Sequence, residues 1–157
     1  YMDLYKNDDA LVGNLPYLAF RFSDVYSGWN LRLQPSDQTV IKVTAPDTLW
    51  WKGSVLANRS PEGKEQRIVH LVNSPVVTEV RENRDSKVRP AVTNVTVRCA
   101  AVGGRLPQKA YLLTAEPLTP TTEPRVQSVP LPLTKDAGAV TVTVPAVLYL
   151  KTVVFEY

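Results

Sequence analysis

The sequence predicts an all-β protein, an antiparallel β-sandwich of about eight strands with a short N-terminal helical segment. Three observations support this fold class. Short apolar runs rich in Val, Leu and Thr alternate with turn residues along the chain. The 13 prolines lie between these runs and discourage long helices. Strand and helix patterns do not alternate, so a parallel α/β sheet is not expected.

The most apolar β-favouring run spans residues 66–73, between a Pro/Gly turn and Pro75. Both of its faces are mostly apolar, which is typical of a central strand covered on two sides. His70 alternates with Ile68 and Val72 in this run. A hydrogen-bonded histidine of the core or of a subdomain boundary is therefore favoured over a general base.

The chain before this strand divides into two regions. Residues 1–13 have apolar positions that fit about three turns of helix with Gly13 at its end, and so short a helix needs another surface to pack on. Residues 14–45 form a linking region that could include the first strands, and a strand or an ordered loop fits its first part equally well. The sandwich domain is expected to span residues 46–157.

Further strands follow from alternating apolar and polar residues and from β-favouring composition. They are expected at residues 39–44, 48–57, 91–99, 108–115, 126–133, 139–144 and 148–157. Pro130 and Pro132 place one of these strands at a sheet edge, because proline cannot donate to a central ladder. Residues 78–90 have charges of both signs and are expected to form a solvated loop.

Composition excludes several classes of function. The net charge of +3 is spread among 15 acidic residues, so nucleic acid is not an expected partner. A single cysteine, Cys99, excludes an internal disulfide framework and is expected to be a buried, inert thiol. No apolar run is long enough to span a membrane. The chain begins at Tyr1 without an initiator Met, and we expect it to be a piece of a longer protein.

No catalytic or metal-binding constellation is predicted. Two neighbouring acids, Asp8 and Asp9, lie on the expected helix, and the acids Glu79, Glu82 and Asp85 lie in the mixed-charge loop, where solvation is the favoured interpretation. One His and one Cys do not make a metal site. Nucleophile-elbow and nucleotide-binding motifs are absent from the sequence. No catalytic residue, metal or cofactor is therefore expected.

The aromatic residues are the sharpest candidates for binding. Neighbouring Trp50 and Trp51 point to opposite faces if their run is a strand, so at most one can enter the core from that sheet. The other is exposed or meets a partner surface. An exposed indole can stack on a sugar ring, and Trp29 or Tyr26 could join it. Packing against the N-terminal segment or a neighbouring domain is the favoured alternative.

One set of segments is informative when taken together: Trp50-Trp51-Lys52, residues 68–73, residues 92–98, residues 109–113, and the closing pair at 140–145 and 148–156. These segments resemble the C-terminal β-sandwich of the dextranase and cycloisomaltooligosaccharide glucanotransferase family of glycoside hydrolases. Residues 1–11 are similar to the last helical segment that leaves the catalytic barrel of that family. Leu150-Lys151 is a departure, since the family tends to have a tryptophan in that region.

The resemblance implies an accessory domain, because the acid and nucleophile of such enzymes belong to the barrel. It also implies a preceding catalytic domain as partner, possible contact with glucan, and an extracellular or periplasmic bacterial parent. Three hypotheses follow: a structural accessory sandwich, an independent carbohydrate-binding module that uses the tryptophans, and an enzyme in its own right. The first predicts an exposed apolar patch near the N-terminal segment or the tryptophans.

Overall fold

The fold was analysed in a computed structural model, which describes residues 9–26, 32, 34–73, 90–119 and 121–157, with the backbone alone at 9–13. In this part of the chain, ten strands form two antiparallel sheets. The first sheet has the order β1 (Gln34–Pro35), β3 (Val55–Arg59), β4 (Glu65–Val72), β10 (Leu150–Glu156), β6 (Lys109–Thr114) and β7 (Gln127–Leu131). The second has the order β2 (Ile41–Thr44), β5 (Val92–Ala100), β9 (Ala139–Val147) and β8 (Thr134–Asp136). The predicted all-β sandwich is confirmed.

The main core lies between the two sheets, because each strand turns one apolar face inward. The first sheet contributes Val69, Leu71, Leu112, Val153 and Phe155, and the second contributes Val95, Val97, Cys99, Val142 and Val144. The run predicted as a central strand is β4, which pairs with β3 on one side and β10 on the other. Its alternate residues therefore enter two different cores.

The second, smaller core lies on the outer face of the six-stranded sheet. Helix α1 (Asp9–Arg21) and the single turn α2 (Ser23–Tyr26) cover this face. Leu18 of α1 and Val25 of α2 pack there with Ile68, Leu113 and Val154 of the sheet. The sheet thus supplies the surface that a short helix needs, and it explains why both faces of β4 are apolar.

The helical segment is longer than the sequence predicts. Its predicted end at Gly13 is wrong, and so is the strand or loop expected directly afterwards, because α1 continues through that glycine and Pro16. Leu15, Leu18 and Phe22 are spaced three and four residues apart, so they lie on one helix face and pack on the sheet. This packing outweighs the intrinsic cost of a glycine and a proline inside a helix.

The strand predicted at residues 48–57 is wrong in its first half. This part of the chain forms turns, and Trp50 makes only an isolated bridge to Val72 before β3 begins at Val55. Gly53 lies in the second turn with a φ of 82°, a conformation that glycine adopts without strain. The Gly53 amide donates to Gln38 Oε1 at 2.9 Å, which fixes this turn against the preceding segment.

The later strands lie near their predicted positions. Strand β7, which contains Pro130, is at a sheet edge, as predicted. Strand β9 runs through Pro145 to Val147, beyond its predicted end, and the flanking pairs place Pro145 opposite Asn94. The edge strands β1 and β8 are short, with two and three residues, too few to show an alternating pattern. Most of the predicted charged loop, residues 78–89, lies outside the described residues.

Candidate functional site

The two adjacent tryptophans lie in different environments. Trp50 and Val72 exchange backbone hydrogen bonds of 2.8 and 2.9 Å, so the Trp50 side chain lies on the outer face of the six-stranded sheet, as that of Val72 does. Trp50 is 53% exposed. Trp51 is partly buried and packs on the core between the sheets. Trp50 is therefore the more open of the two indoles.

The other aromatic candidates are less available to a ligand. Trp29 lies outside the described residues. Tyr26 stacks on His70, with ring centroids 5.4 Å apart and an angle of 24° between the ring planes. Its hydroxyl is also used, because it donates to Thr152 Oγ1 at 2.7 Å. Tyr26 therefore serves the contact between helix and sheet.

A second exposed aromatic surface lies on α1, and sequence analysis missed it. Tyr17 and Phe20 are 52% and 80% exposed, and their spacing places them on the same side of the helix. We call these two residues the outer helix surface. Leu18, only 1% exposed, faces the sheet instead. In a strand, residues 18 and 20 would lie on the same face, so an alternating pattern groups Phe20 with Leu18. In a helix the two residues lie on different sides, and the exposure of Phe20 therefore follows only once this segment is known to be helical.

His70 belongs to the helix–sheet contact, as the sequence predicts. The Tyr26 hydroxyl donates to Thr152 Oγ1, and His70 Nδ1 lies 2.8 Å from the same oxygen. Thr152 has one hydroxyl proton, which we assign to the bond with Nδ1. This order of donors requires a neutral imidazole with its proton on Nε2.

Burial keeps this chain of groups uncharged near neutral pH. It lowers the pKa of His70 from 6.5 to about 4. It raises the pKa of Tyr26 to about 12, against the opposing effect of the hydrogen bond to Thr152. A histidine with so low a pKa is a weak general base at neutral pH, so the arrangement favours a structural role.

None of the acids considered for catalysis has a side chain in the described part of the structure. Asp8, Glu79, Glu82 and Asp85 lie outside the described residues, and Asp9 is described by its backbone alone. Glu116, which follows β6, is buried with 1% exposure. Both of its carboxylate oxygens accept backbone hydrogen bonds, at 2.7 to 3.0 Å. Glu116 therefore stabilises the backbone around it.

Cys99 is a buried thiol, as predicted. It is 0% exposed, and its Sγ lies 3.3 Å from the Tyr157 hydroxyl. Burial raises the pKa of the thiol to about 11, so it stays protonated and unreactive at neutral pH. Within the described ranges, no group of three or more His, Cys, Asp or Glu side chains could hold a metal ion.

Comparison with solved structures gives matches to glycoside hydrolases. A cycloisomaltooligosaccharide glucanotransferase from Paenibacillus sp., complexed with cycloisomaltoheptaose, matches with a TM-score of 0.59 and 15% sequence identity over 92% of this chain. The match covers 20% of that enzyme. The α-L-fucosidase isoenzyme 2 from Paenibacillus thiaminolyticus matches with a TM-score of 0.48 and 20% identity, over 78% of this chain and 16% of that one.

The first of these matches agrees with the sandwich fold that the sequence resemblance implies. The chain spans about a fifth of the length of that enzyme. No protein-family model matches the sequence, and no curated protein matches it. Among the described residues, neither length nor apolar character allows any helix to cross a membrane.

Proposed function

We propose that this chain is a non-catalytic accessory β-sandwich of a larger bacterial glycoside hydrolase and that it supports the preceding catalytic domain. The outer helix surface is the observation on which this proposal rests. It places two aromatic side chains in solvent on a helix whose other side is already packed on the sheet. The fold similarity to a fifth of a glucanotransferase chain supports a role as one domain of a secreted carbohydrate-active enzyme.

Physical chemistry favours a covered outer helix surface. Burying a large apolar side chain is worth roughly 1.5–3 kcal/mol relative to leaving it exposed. A soluble domain therefore gains when a neighbour covers Phe20, and exposed aromatic residues on one helix face are typical of interaction surfaces. We assign this surface to the catalytic domain because α1 is the N-terminal element described and the similar enzyme is much longer than this chain.

Limited proteolysis of the complete parent polypeptide tests this assignment. With Phe20→Ser, the protease should release the sandwich as a fragment at least several-fold faster than it does from the unsubstituted polypeptide, because the contact between the domains is weakened. Trp50→Ser is the matched control, since it also removes an exposed aromatic side chain but leaves α1 unchanged. Equal rates of release in the Phe20→Ser variant and the parent would rule out this surface as the docking site.

A carbohydrate-binding module is the second candidate function, and the 53% exposure of Trp50 favours it. In this proposal the indole stacks on a glucose ring of a glucan, with Trp51 and Trp29 as further predicted contributors. Titration with dextran should then change the tryptophan fluorescence and release heat, and Trp50→Ala should abolish both signals. Tyr17→Ala is the control. If dextran changes neither signal in the unsubstituted protein, only the structural role remains.

The proposal also predicts that the isolated chain turns over no glycan. Incubation with a panel of glucans and other polysaccharides, followed by a reducing-sugar assay, should give the same reading as buffer. Release of sugar that depends on one particular carboxylate of this chain would overturn the accessory role. The assay distinguishes an independent enzyme from an accessory domain and from a carbohydrate-binding module.

A further inference from the structure

The helical layer, as we call α1 and α2 together, is joined to the six-stranded sheet by a chain of three polar side chains. The Tyr26 hydroxyl of α2 donates to Thr152 Oγ1 of β10 at 2.7 Å, and Thr152 Oγ1 lies 2.8 Å from Nδ1 of His70 in β4. The Tyr26 ring also stacks on the imidazole. The layer therefore covers His70, and its removal would open the imidazole to water.

A proton on His70 Nδ1 disrupts this chain. In the neutral imidazole Nδ1 accepts from Thr152, whereas in the imidazolium both ring nitrogens carry protons. Two donors then face each other, and if the Thr152 hydroxyl turns to accept from Nδ1, its own proton loses its acceptor. The positive charge is also enclosed. Attraction to the Tyr26 ring offsets part of that cost, but burial has the larger effect, because it lowers the pKa of His70 to about 4.

In the described part of the chain, the charged groups of the adjoining elements act elsewhere and do not compensate this charge. Arg21 of α1 donates to a backbone carbonyl beside β7 at 3.1 Å. Asp24 of α2 acts on Tyr111 of β6, whose pKa is raised to about 12 by burial and by neighbouring acids. Lys151 of β10 points to the opposite face from Thr152 and pairs with a buried carboxylate.

The strands beside His70 add no counter-charge within the described ranges. Arg59 of β3 pairs in register with Glu65 at the start of β4, remote from the imidazole. Arg67 points to the other face of β4, because side chains alternate along a strand. Ser54, which precedes β3, donates its hydroxyl to the His70 carbonyl at 2.8 Å and is uncharged. A protonated His70 thus lies in the closed contact without a counter-ion among the described residues.

We propose that His70 is a proton-dependent switch of the helical layer: protonation of its imidazole opens the contact between the layer and the sheet while the sandwich stays folded. The sandwich keeps its own core between the sheets, which the layer does not enter. The opening exposes apolar residues of the smaller core, namely Leu18, Val25, Ile68, Leu113 and Val154. Once water reaches His70, its pKa returns towards 6.5, so the open fraction rises about tenfold for each pH unit below 6.5 until the pH approaches 4.

The outer helix surface lies on α1, so the same opening displaces it from the sandwich. Under the function proposed above, acidification would then also weaken the contact with the catalytic domain. This consequence rests on the proposed function, whereas the switch itself depends only on the contact between layer and sheet. The switch is therefore tested on this chain alone, and its failure would leave the docking surface unaffected.

Amide hydrogen exchange at pH 7.5 and pH 4.5 measures the opening, with rates converted to protection factors to remove the direct effect of pH on exchange. In α1 and α2 of the unsubstituted protein, the protection factors should fall roughly fiftyfold between the two pH values. In His70→Asn, which cannot take up the proton, they should fall less than about threefold. An equal fall in the two proteins, or no fall in the unsubstituted one, would overturn the proposal.

A second measurement needs no variant. Urea added below the unfolding transition speeds exchange more strongly when an opening exposes more surface. At pH 4.5 the amides of α1 and α2 should therefore respond less to urea than those of β5 and β9, which exchange through unfolding of the whole sandwich. The same response in both sets would mean that the layer and the sandwich open together, and the switch would be ruled out.

Discussion

Glu116 and Lys151 form a fully enclosed ion pair, with Oε1 and Nζ 3.7 Å apart and side chains that are 1% and 0% exposed. Glu116 lies just after β6, whereas Lys151 lies in β10. The Glu116 carboxylate also accepts hydrogen bonds from the amides of Leu148, Tyr149 and Leu150, at 2.7 to 3.0 Å. One side chain thus fixes the whole connection between β9 and β10.

Lys151 also binds the backbone of the segment that follows Glu116. Its Nζ donates to the carbonyls of Pro117 and Leu118 at 2.8 and 3.1 Å. Burial raises the pKa of Glu116 and lowers that of Lys151, while the pairing and the backbone hydrogen bonds of Glu116 oppose that effect. Neighbouring groups satisfy both charges, and these contacts offset only part of the cost of burying the charges. The pair thus holds two connections of the chain together.

Lys151→Met should therefore destabilise the protein strongly. The methionine fills most of the space, but it leaves a buried carboxylate without its counter-ion and two carbonyls without their donor. Breaking a buried pair in this way typically costs about 3–5 kcal/mol. Urea unfolding followed by tryptophan fluorescence measures the loss of free energy of unfolding.

Lys64→Met is the matched control for this substitution. Lys64 pairs with Glu156 at 2.9 Å, but its side chain is 46% exposed. Surface pairs of this kind contribute little, so the control should lose far less free energy of unfolding than Lys151→Met does. Similar losses in the two variants would show that the enclosure of Lys151 does not determine its contribution.

The ion pair also shows which features of this fold can be predicted from the sequence and which cannot. Lys151 interrupts an apolar run, which signals either an exposed position or a buried charge with a partner. The partner could not be found from the sequence, since Glu116 is distant along the chain and lies beside prolines that indicate a loop. The sheets themselves could be predicted, because alternation is a local signal within each strand.

The helical layer was missed for a related reason. Gly13 and Pro16 are local signals for the end of a helix, whereas the contacts that stabilise α1 come from the sheet. The candidate surfaces depend on this layer, because the exposure of Tyr17 and Phe20 follows from the helix. The separation of Trp50 from Trp51 was foreseen by alternation, although their run forms turns and a bridge in place of a strand.

His70 should make the stability of the protein depend on pH between about 4 and 6.5. Its pKa is lowered from 6.5 to about 4 by burial in the folded protein. In this range the unfolded chain takes up a proton that the folded protein does not, so stability falls as the pH falls from 6.5 towards 4. At about 1.4 kcal/mol per pH unit, the largest loss is about 3 kcal/mol.

Urea unfolding at pH 7.5 and pH 4.5 measures this loss. Other groups titrate in the same range, so the control is His70→Asn, which keeps an acceptor near the position of Nδ1 but cannot take up the proton. The parent should lose about 2–3 kcal/mol more than the variant between the two pH values. Equal losses would mean that His70 titrates alike in the folded and unfolded states.

Tyr26→Phe should loosen the helical layer without unfolding the sandwich. The substitution keeps the stacked ring but removes the hydroxyl that donates to Thr152 Oγ1 at 2.7 Å. A hydrogen bond of this type contributes about 0.5–1.5 kcal/mol. Amide hydrogen exchange should therefore speed up in α1 and α2 and remain slow in β5 and β9. Tyr17→Phe, which removes a hydroxyl from a half-exposed ring of the same layer, should change neither rate.

Asn94 is the one non-glycine residue with a positive φ, 54°, in the described part of the chain. It lies in β5 opposite Pro145, which has no N–H to contribute to the ladder. An L-residue in this conformation costs roughly 1–2 kcal/mol, and asparagine tolerates it better than alanine does. Asn94→Ala should therefore lower the free energy of unfolding by about 1 kcal/mol, whereas Asn94→Gly should change it by less than about 0.5 kcal/mol.

The neighbouring exposed residue Thr93 is the control. At this position the stability costs of the glycine and alanine substitutions should have the opposite order. Thr93 has no positive φ, so Thr93→Gly should cost more than Thr93→Ala, because glycine gains flexibility in the unfolded chain and supplies no side chain to the strand. Thermal unfolding of the four variants measures both pairs. The same order at the two positions would show that the backbone conformation of Asn94 does not limit which residues fit there.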